Sequence, residues 1–284
     1  MKGKIRTVIV DLLTDTVGKM LVFLRPKKVN ELVRKGITIV WDDNLTTTER
    51  LMRRFMLKNM EKNKDHDALA KLHQTFWAEQ GDDFVNRTEN NLENKLLPGY
   101  KSILEVLENQ ISKESIKFKQ LVEIGTGNGC VLEYLSIRIP EIDKLIGIDL
   151  SKGQTDRNSS NYKDNAKLEF VGGNVLDWIE DQDQGDMVFL TFRGVLEYFT
   201  QNQLINFFEK LNNTGNIIFY IIEPTDSSHN YDVEPDSKVY GVEGSFSHNY
   251  KKLFEDAGFK IWHADQKEES WHSNVMTIFG AKNF

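Results

Sequence analysis

The run Leu121-Val-Glu-Ile-Gly-Thr-Gly-Asn-Gly129 limits what this chain can fold into more than any other stretch. An apolar strand ends in an acidic residue and passes through three alternate glycines, and a helical pattern starts at Val131. Glycines at 125, 127 and 129 remove each Cβ from a turn where a ligand can lie against the backbone, and they permit positive φ. In an open α/β sheet, such a turn at the carboxyl end of the first parallel strand is where nucleoside cofactors bind.

The spacing argues against the usual dinucleotide. Its fingerprint, G-x-G-x-x-G/A, would place a third small residue at Cys130, which is neither Gly nor Ala. Glu123, just before the turn, is a poor neighbour for a pyrophosphate and a good one for a cation. S-adenosylmethionine carries an ammonium and a sulfonium, so this acidic residue suits it. A phosphate-binding P-loop is excluded because no G-K-[ST] follows the glycines.

The following segments extend the pattern. Lys144-Leu-Ile-Gly-Ile-Asp149 is a second short apolar strand ending in a carboxylate, 20 residues beyond Gly129. At that distance an acidic side chain takes ribose hydroxyls in nucleoside-binding α/β units. Leu168-Glu-Phe-Val-Gly-Gly-Asn-Val-Leu-Asp177 is a third strand ending in Gly-Gly-Asn, and the Asn174 amide can both donate to and accept from an adenine edge. Asp186-Met-Val-Phe-Leu-Thr-Phe-Arg-Gly-Val-Leu-Glu-Tyr-Phe199 reads as a buried strand, a turn and a helix start.

Together, Glu-x-Gly-x-Gly-x-Gly, Gly-Ile-Asp, Gly-Asn-x-Leu-Asp and Arg-Gly-Val-Leu-Glu-Tyr resemble class I S-adenosylmethionine-dependent methyltransferases, over about residues 95–284. The resemblance implies an α/β fold: a Rossmann-like seven-stranded mixed sheet, order 3-2-1-4-5-7-6, flanked by helices, its last strand antiparallel. It implies S-adenosylmethionine as cofactor and S-adenosylhomocysteine as product. Glu123, Gly125, Thr126, Gly127 and Gly129 would face the methionine end, Asp149 with Leu150 the ribose, and Asn174 with Val175 the adenine. Arg193 and Gly194 would supply backbone under the sulfonium. Asn174 departs from the commoner Asp but keeps its acceptor.

Upstream, Phe76-Trp-Ala-Glu-Gln-Gly-Asp-Asp-Phe-Val-Asn-Arg87 and Leu96-Leu-Pro-Gly-Tyr100 are similar to the segment preceding the core in methyltransferases linked to pseudaminic acid and other bacterial surface sugars. That segment folds over the cofactor, which adds Trp77 and Arg87 to the cofactor-binding candidates. The competing reading is that Phe76, Trp77 and Phe84 pack a helix on the core. The organisation expected is a helical extension over 1–74, a covering segment over 75–97 and a methyltransferase domain over 98–284.

The rest of the chain sets bounds. A length of 284 residues is ample for a substantial core, and 39% hydrophobic with 28% charged residues is ordinary for a soluble protein. The single Cys130 excludes an intramolecular disulfide and a cysteine-based metal site, and suits a reducing cytoplasm. It sits in the glycine turn, so core packing is its expected role. Six histidines show no H-x-x-x-H pairing, and no metal is expected. A net charge of −7 disfavours nucleic-acid binding. Periodicity predicts helices over 98–110, 131–139, 203–211 and 248–257, and strands over 216–222, 259–263 and 275–281, with a long polar loop after Glu223-Pro224.

At the N-terminus, Ile5, Val8, Ile9, Leu12, Leu13, Val17, Met20, Leu21 and Leu24 recur at helical spacing until Arg25-Pro26. Asp11, Asp15 and Lys19 interrupt the run, so it is neither a membrane span nor a signal peptide. Residues 1–36 hold nine Lys/Arg against three Asp/Glu, net +6 in an acidic chain. Two readings stay open: a helical arm docked on the acidic core or on a second subunit, and a peripheral membrane-surface helix.

Methyl transfer from a sulfonium is an in-line displacement that depends on positioning, and an oxygen acceptor of high pKa also needs a base. Glu197 lies at the mouth of the site, and His229 and His248 flank the loop after the fifth strand; these are the catalytic candidates, with Tyr198 and Tyr231 lining the pocket. The competing readings are a solvated helix-start carboxylate for Glu197, a helix-opening residue for His248 and a solvated loop for His229. No Asn/Asp-Pro-Pro-aromatic follows the fourth strand and there is no Pro-Cys pair, which argues against adenine, glutamine and cytosine acceptors. A small-molecule intermediate, such as a nucleotide- or lipid-linked sugar, is the expected acceptor. A non-catalytic cofactor-binding subunit is the alternative. An aminopropyltransferase is disfavoured because Arg193 would repel a polyamine.

Overall fold

The computed structural model describes residues 2–40, 43–91, 94–95, 97–182, 185–268 and 274–284. Helix α1 (Lys2–Leu13), a π-helical turn (Thr14–Gly18) and α2 (Lys19–Leu24) form one rod. The rod stops before Pro26, the first residue of α3 (Pro26–Lys35), as the fixed φ of proline requires. A Thr46/Glu49 capping box starts α4 (Thr47–Lys62). Then comes α5 (His66–Asn91), 26 residues long. The boundary expected between 74 and 75 falls inside α5, so the arm and the covering segment share a helix. Leu96, quoted for the surface-sugar resemblance, lies outside the described residues.

After α6 (Leu97–Lys113), strands and helices alternate: β1 (Gln120–Ile124), α7 (Cys130–Arg138), β2 (Lys144–Asp149), α8 (Lys152–Asn161), β3 (Leu168–Gly172), α9 (Val175–Trp178), β4 (Met187–Phe192), α10 (Gln201–Asn212) and β5 (Ile217–Asp226). A hairpin, β6 (Lys238–Tyr240) and β7 (Ser245–Ser247), stands apart, followed by α11 (Tyr250–Asp256), β8 (Lys260–Glu268) and β9 (Asn274–Lys282). The sheet order is β3-β2-β1-β4-β5-β9-β8, with β9 antiparallel to both neighbours. With the hairpin set aside, this is the expected order.

The central strands are buried on both faces, which is why they read as continuous apolar runs. On one face Leu104 and Leu107 of α6 and Leu132 and Leu135 of α7 pack on Leu121, Leu145 and Val188. On the other, Phe207, Phe208 and Phe254 pack on Phe189 and Phe219, and the rings of Phe208 and Phe254 stack at 4.4 Å. Strand β5 runs four residues past its expected end, through Pro224. Pairing with β4 stops at Ile222, so a residue without an N–H breaks no ladder on that side. The last helix starts at Tyr250 because Asn249 caps it, accepting from Lys252 N at 3.2 Å. It ends at left-handed Gly258, with Phe259 N bonded to Phe254 O and Gly258 N to Glu255 O.

The arm is fastened to this domain through the hairpin. Leu21, Leu32, Met52, Met56, Leu57, Leu69 and Leu72 form a cluster that includes Phe246 of β7. His73 of α5, fully buried, bonds Gly244 O through Nε2 (3.1 Å) and Thr38 Oγ1 through Nδ1 (2.7 Å). A carbonyl only accepts, so Nε2 carries a proton. Burial lowers its pKa from 6.5 to about 4. A lowered pKa gives stability that is complete above 6.5 and is lost as pH falls through about 4. We expect His73→Phe to lower unfolding stability at neutral pH by about 2–3 kcal/mol, because two buried polar partners are orphaned. Urea denaturation measures the change, and its difference from the parent should shrink in acid.

Candidate active site

Strand β1 carries Glu123 into the interior, where its Oε2 accepts from Thr126 Oγ1 at 2.7 Å. Burial pushes its pKa up to about 8; Thr126 offsets part of this and the Asp149 charge adds to it. The turn that follows is anchored by Gly125 N and Thr126 N, which donate to Ile148 O at 2.7 and 3.2 Å. Gly125, Gly127 and Gly129 all have positive φ (69°, 53° and 79°). A Cβ on Gly125 would lie 2.5 Å from Val195 Cγ2, and one on Gly129 would lie 2.9 Å from the rings of Phe170 and Tyr162. At Gly127 the nearest atom would be Val85 Cγ2, at 4.0 Å. Bare main chain is therefore most open at Gly127. Cys130 is buried behind the turn in the apolar cluster.

At the end of β2, Asp149 takes the Gly127 amide on Oδ2 (3.0 Å) and the Ser151 amide on Oδ1 (2.9 Å). Burial pushes its pKa up to about 6, against the pull of these two amides. Leu150 is half-buried beside it. Beyond β3, Asn174 caps α9, its Oδ1 accepting from Leu176 N at 3.0 Å, and Val175 is buried in the core. The oxygen expected to meet an adenine is thus already shared with the cap, while the amide nitrogen bonds no described residue.

Helix α5 lies over this edge. A Cβ on Gly81 would be 3.4 Å from Ser151 Cβ, and one on Gly153 would be 3.1 Å from Asp82 Oδ2. Trp77 meets Phe76 and Phe84 edge-on at 5.3 Å and Tyr198 at 5.6 Å, and its buried Nε1 has no hydrogen-bond partner among the described residues. Arg87 lies elsewhere. With Phe76, Gln80 and Asp83 it lines a cleft of about 240 Å³ shared with Lys35, Asp43 and Arg53, on a different face of α5 from Trp77 and Val85.

Strand β4 delivers Arg193 in a left-handed conformation (φ 67°), sparsely populated for a residue with a Cβ. Its side chain runs to α6, where Nη1 donates to Tyr100 Oη at 2.6 Å, so its backbone is what shapes the turn with Gly194. Val195 N and Leu196 N then donate to Glu223 Oε2 (2.9 and 3.1 Å); burial pushes that carboxyl up to about 8.

Glu197 is not a solvated helix-start residue. It sits buried in a 3-10 turn (Leu196–Tyr198), where Tyr240 Oη donates to its Oε2 at 3.0 Å. Tyr198 Oη donates to Glu243 Oε1 at 2.7 Å. Burial raises the pKa of both glutamates, and the charge of Glu197 raises Glu243 further. The histidines are braces. His248 Nε2 donates to Leu196 O (3.1 Å) and Nδ1 meets Ser237 Oγ (2.6 Å), with burial lowering its pKa to about 3. It lies two residues before the helix it was expected to open. His229 is buried rather than in solvated loop, bonded to Ser247 Oγ (2.9 Å) and Glu234 O (3.0 Å). Tyr231 donates to His248 O at 3.1 Å, which ties it into the same loop. Both ring nitrogens of His229 and of His248 are thus engaged by neighbouring oxygens. Among the described residues no three His, Cys, Asp or Glu cluster to hold a metal.

One network was missed by sequence reasoning. Asp82 of α5 meets Arg157 (3.4 Å), Arg157 meets Gln154 (2.9 Å), Gln154 meets Asn158 (2.8 Å), and Asn158 Nδ2 donates to Gly127 O (2.7 Å). It ties the covering helix to the glycine turn. The available signal was Gly81, a glycine in mid-helix, which usually has a packing reason.

Residues 121–214 match the methyltransferase domain family. No curated protein matches the chain. Among solved structures, magnesium protoporphyrin IX methyltransferase from Synechocystis PCC 6803 with bound S-adenosylmethionine is similar, with TM-score 0.52 and 11% identity over 76% of this chain and 97% of that one. Its form with bound S-adenosylhomocysteine gives TM-score 0.51 and 12% identity over 76% and 100%. The N-methyltransferase NodS from Bradyrhizobium japonicum WM9 gives 0.47 and 13% identity over 71% and 97%. The Synechocystis likeness establishes a shared fold.

Proposed function

We propose that this chain is an S-adenosylmethionine-dependent methyltransferase acting on a small polar intermediate, a sugar-type hydroxyl or amine carried free or on a nucleotide or lipid. The observation that carries the reading is two carboxyls held at the glycine turn, the buried Glu123 bonded by Thr126 and the half-buried Asp149 bonded by the Gly127 amide. The residues present fit this cofactor: the carboxyls suit its cationic and hydroxyl groups, and Trp77 Nε1 on α5 is a buried donor with no partner among the described residues. When bound, the cofactor supplies a methyl group activated on a sulfonium.

The chain's own residues do the rest. Asp149 accepts from vicinal hydroxyls with the lone pairs left after Gly127 and Ser151. Trp77, Phe84 and Val85 keep water from the turn. Glu197, Tyr198, Tyr240 and Glu243 offer hydroxyl and carboxyl groups to a polar acceptor, and Glu197 takes its proton. Positioning near attack distance supplies most of the rate.

Binding should expel protons. Glu123, with a pKa of about 8, is largely protonated at pH 7, and an adjacent cation favours its ionised form. Calorimetry in two buffers of different ionisation enthalpy should show release of about one proton per cofactor bound. Zero exchange would mean that Glu123 does not meet the cation. The function itself is tested with methyl-labelled S-adenosylmethionine and a panel of nucleotide-linked and lipid-linked sugars. Label should pass to one of them; transfer to none, with cofactor binding intact, contradicts the acceptor class.

A further inference from the structure

The rod formed by α1, the π-helical turn and α2 presents an apolar face that none of the described residues covers. Seven large apolar side chains between residues 8 and 24 are exposed: Val8, Ile9, Leu12, Leu13, Met20, Leu24 and above all Phe23, at 84%. They are seven of the eleven exposed large hydrophobics among the described residues, so the patch is local to this rod. Isolated exposed apolar residues need no explanation, whereas a contiguous row of them does.

The charges around the row decide what it fits. Asp11 and Asp15, the only acidic residues in this stretch, are both turned onto α4, where they pair with Arg54 (3.3 Å) and Lys58 (2.6 Å). Gly18 packs against the backbone at Leu51 of the same helix, and Leu21 is buried in the arm's core. These contacts fix which side of the rod faces inward. The outward side is left with no acidic residue. Lys19, Arg25 and Lys27 are exposed on or beside it and make no ion pair with any described residue.

We propose that this face is a membrane-surface site that lies flat in the headgroup layer of an anionic lipid bilayer. An apolar row flanked by cations is the pattern of an interfacial helix, with aliphatic side chains and Phe23 entering the acyl boundary and the cations meeting lipid phosphates. The rod is about 35 Å long and lies on the surface rather than crossing it; no helix of the described residues is long and apolar enough to span a membrane. A second copy fits the face less well. Self-association would bring Lys19, Arg25 and Lys27 of both copies together with no acidic residue on the face to offset them. The proposal does not depend on the methyltransferase reading.

The test is flotation of the full chain with phosphatidylcholine vesicles, with and without phosphatidylglycerol. Binding to the anionic vesicles should exceed binding to the neutral ones by about tenfold and fall in high salt. Leu12→Ser combined with Phe23→Ser should abolish it with thermal unfolding unchanged, since these side chains are exposed. Lys19→Gln with Arg25→Gln should weaken it while leaving the apolar row intact. The proposal is overturned if the full chain ignores anionic vesicles, or if the serine variant binds them as well as the parent. It is equally overturned if light scattering shows a dimer that the serine variant splits and that binds no lipid.

Discussion

Asp149→Ala is expected to weaken S-adenosylmethionine and S-adenosylhomocysteine binding about 100-fold, or about 2.7 kcal/mol, because hydrogen bonds to a charged acceptor contribute about 1.5–3 kcal/mol each. Asp149 stands at the end of β2 with two amides already directed at it, so its side chain is pre-positioned. Its removal also frees the Gly127 amide that shapes the open side of the turn. The effect on stability should depend on pH in a defined sense. A carboxyl raised from 3.8 to about 6 contributes stability that is complete below 3.8 and is lost as pH rises through about 6. The alanine variant should therefore lie closer to the parent in thermal unfolding at pH 8 than at pH 4. Calorimetric titration reads the affinity; an unchanged dissociation constant would remove Asp149 from the ribose.

Glu197→Gln is expected to lower kcat by about 10²–10⁴ with cofactor affinity unchanged, the range associated with loss of a positioned base. The carboxyl lies against the turn after β4, since a Cβ on Gly194 would come within 2.7 Å of its Oε1. Burial raises its pKa above 4.5, so the rate should climb with pH through a limb near neutrality as the carboxylate forms. Glu243 titrates with it, and the limb belongs to the pair. The Tyr240 hydroxyl favours the ionised form, so Tyr240→Phe should move the limb to higher pH and leave the plateau rate in place. A glutamine variant that keeps both rate and limb would take Glu197 out of the mechanism.

The parts of this fold that were legible are those in which local pattern and global structure agree. β1, β2 and β4 are continuous apolar runs because helices cover both faces of the sheet. Glu123 and Asp149 could be placed because a strand end followed by a turn fixes where its last side chain stands. Contacts between distant segments were not legible. Nothing in the sequence around His248 indicates that Leu196 O lies 3.1 Å from its ring, or that Ser237 closes the other side. The polar loop after β5 proved to hold a hairpin whose Phe246 joins the arm's core, because its apolar residues meet helices well over 150 residues upstream. Which cleft Arg87 lines was likewise not legible, since that depends on how α5 is turned against the helices of the arm.

The most direct test is a crystal structure of the full chain with S-adenosylhomocysteine. The account predicts the ligand on the glycine turn, its backbone contact at Gly127, its ribose hydroxyls on Asp149 and its amino-acid end toward Glu123, under α5. No ligand on the turn at saturating concentration, or the ligand seated elsewhere, would contradict it.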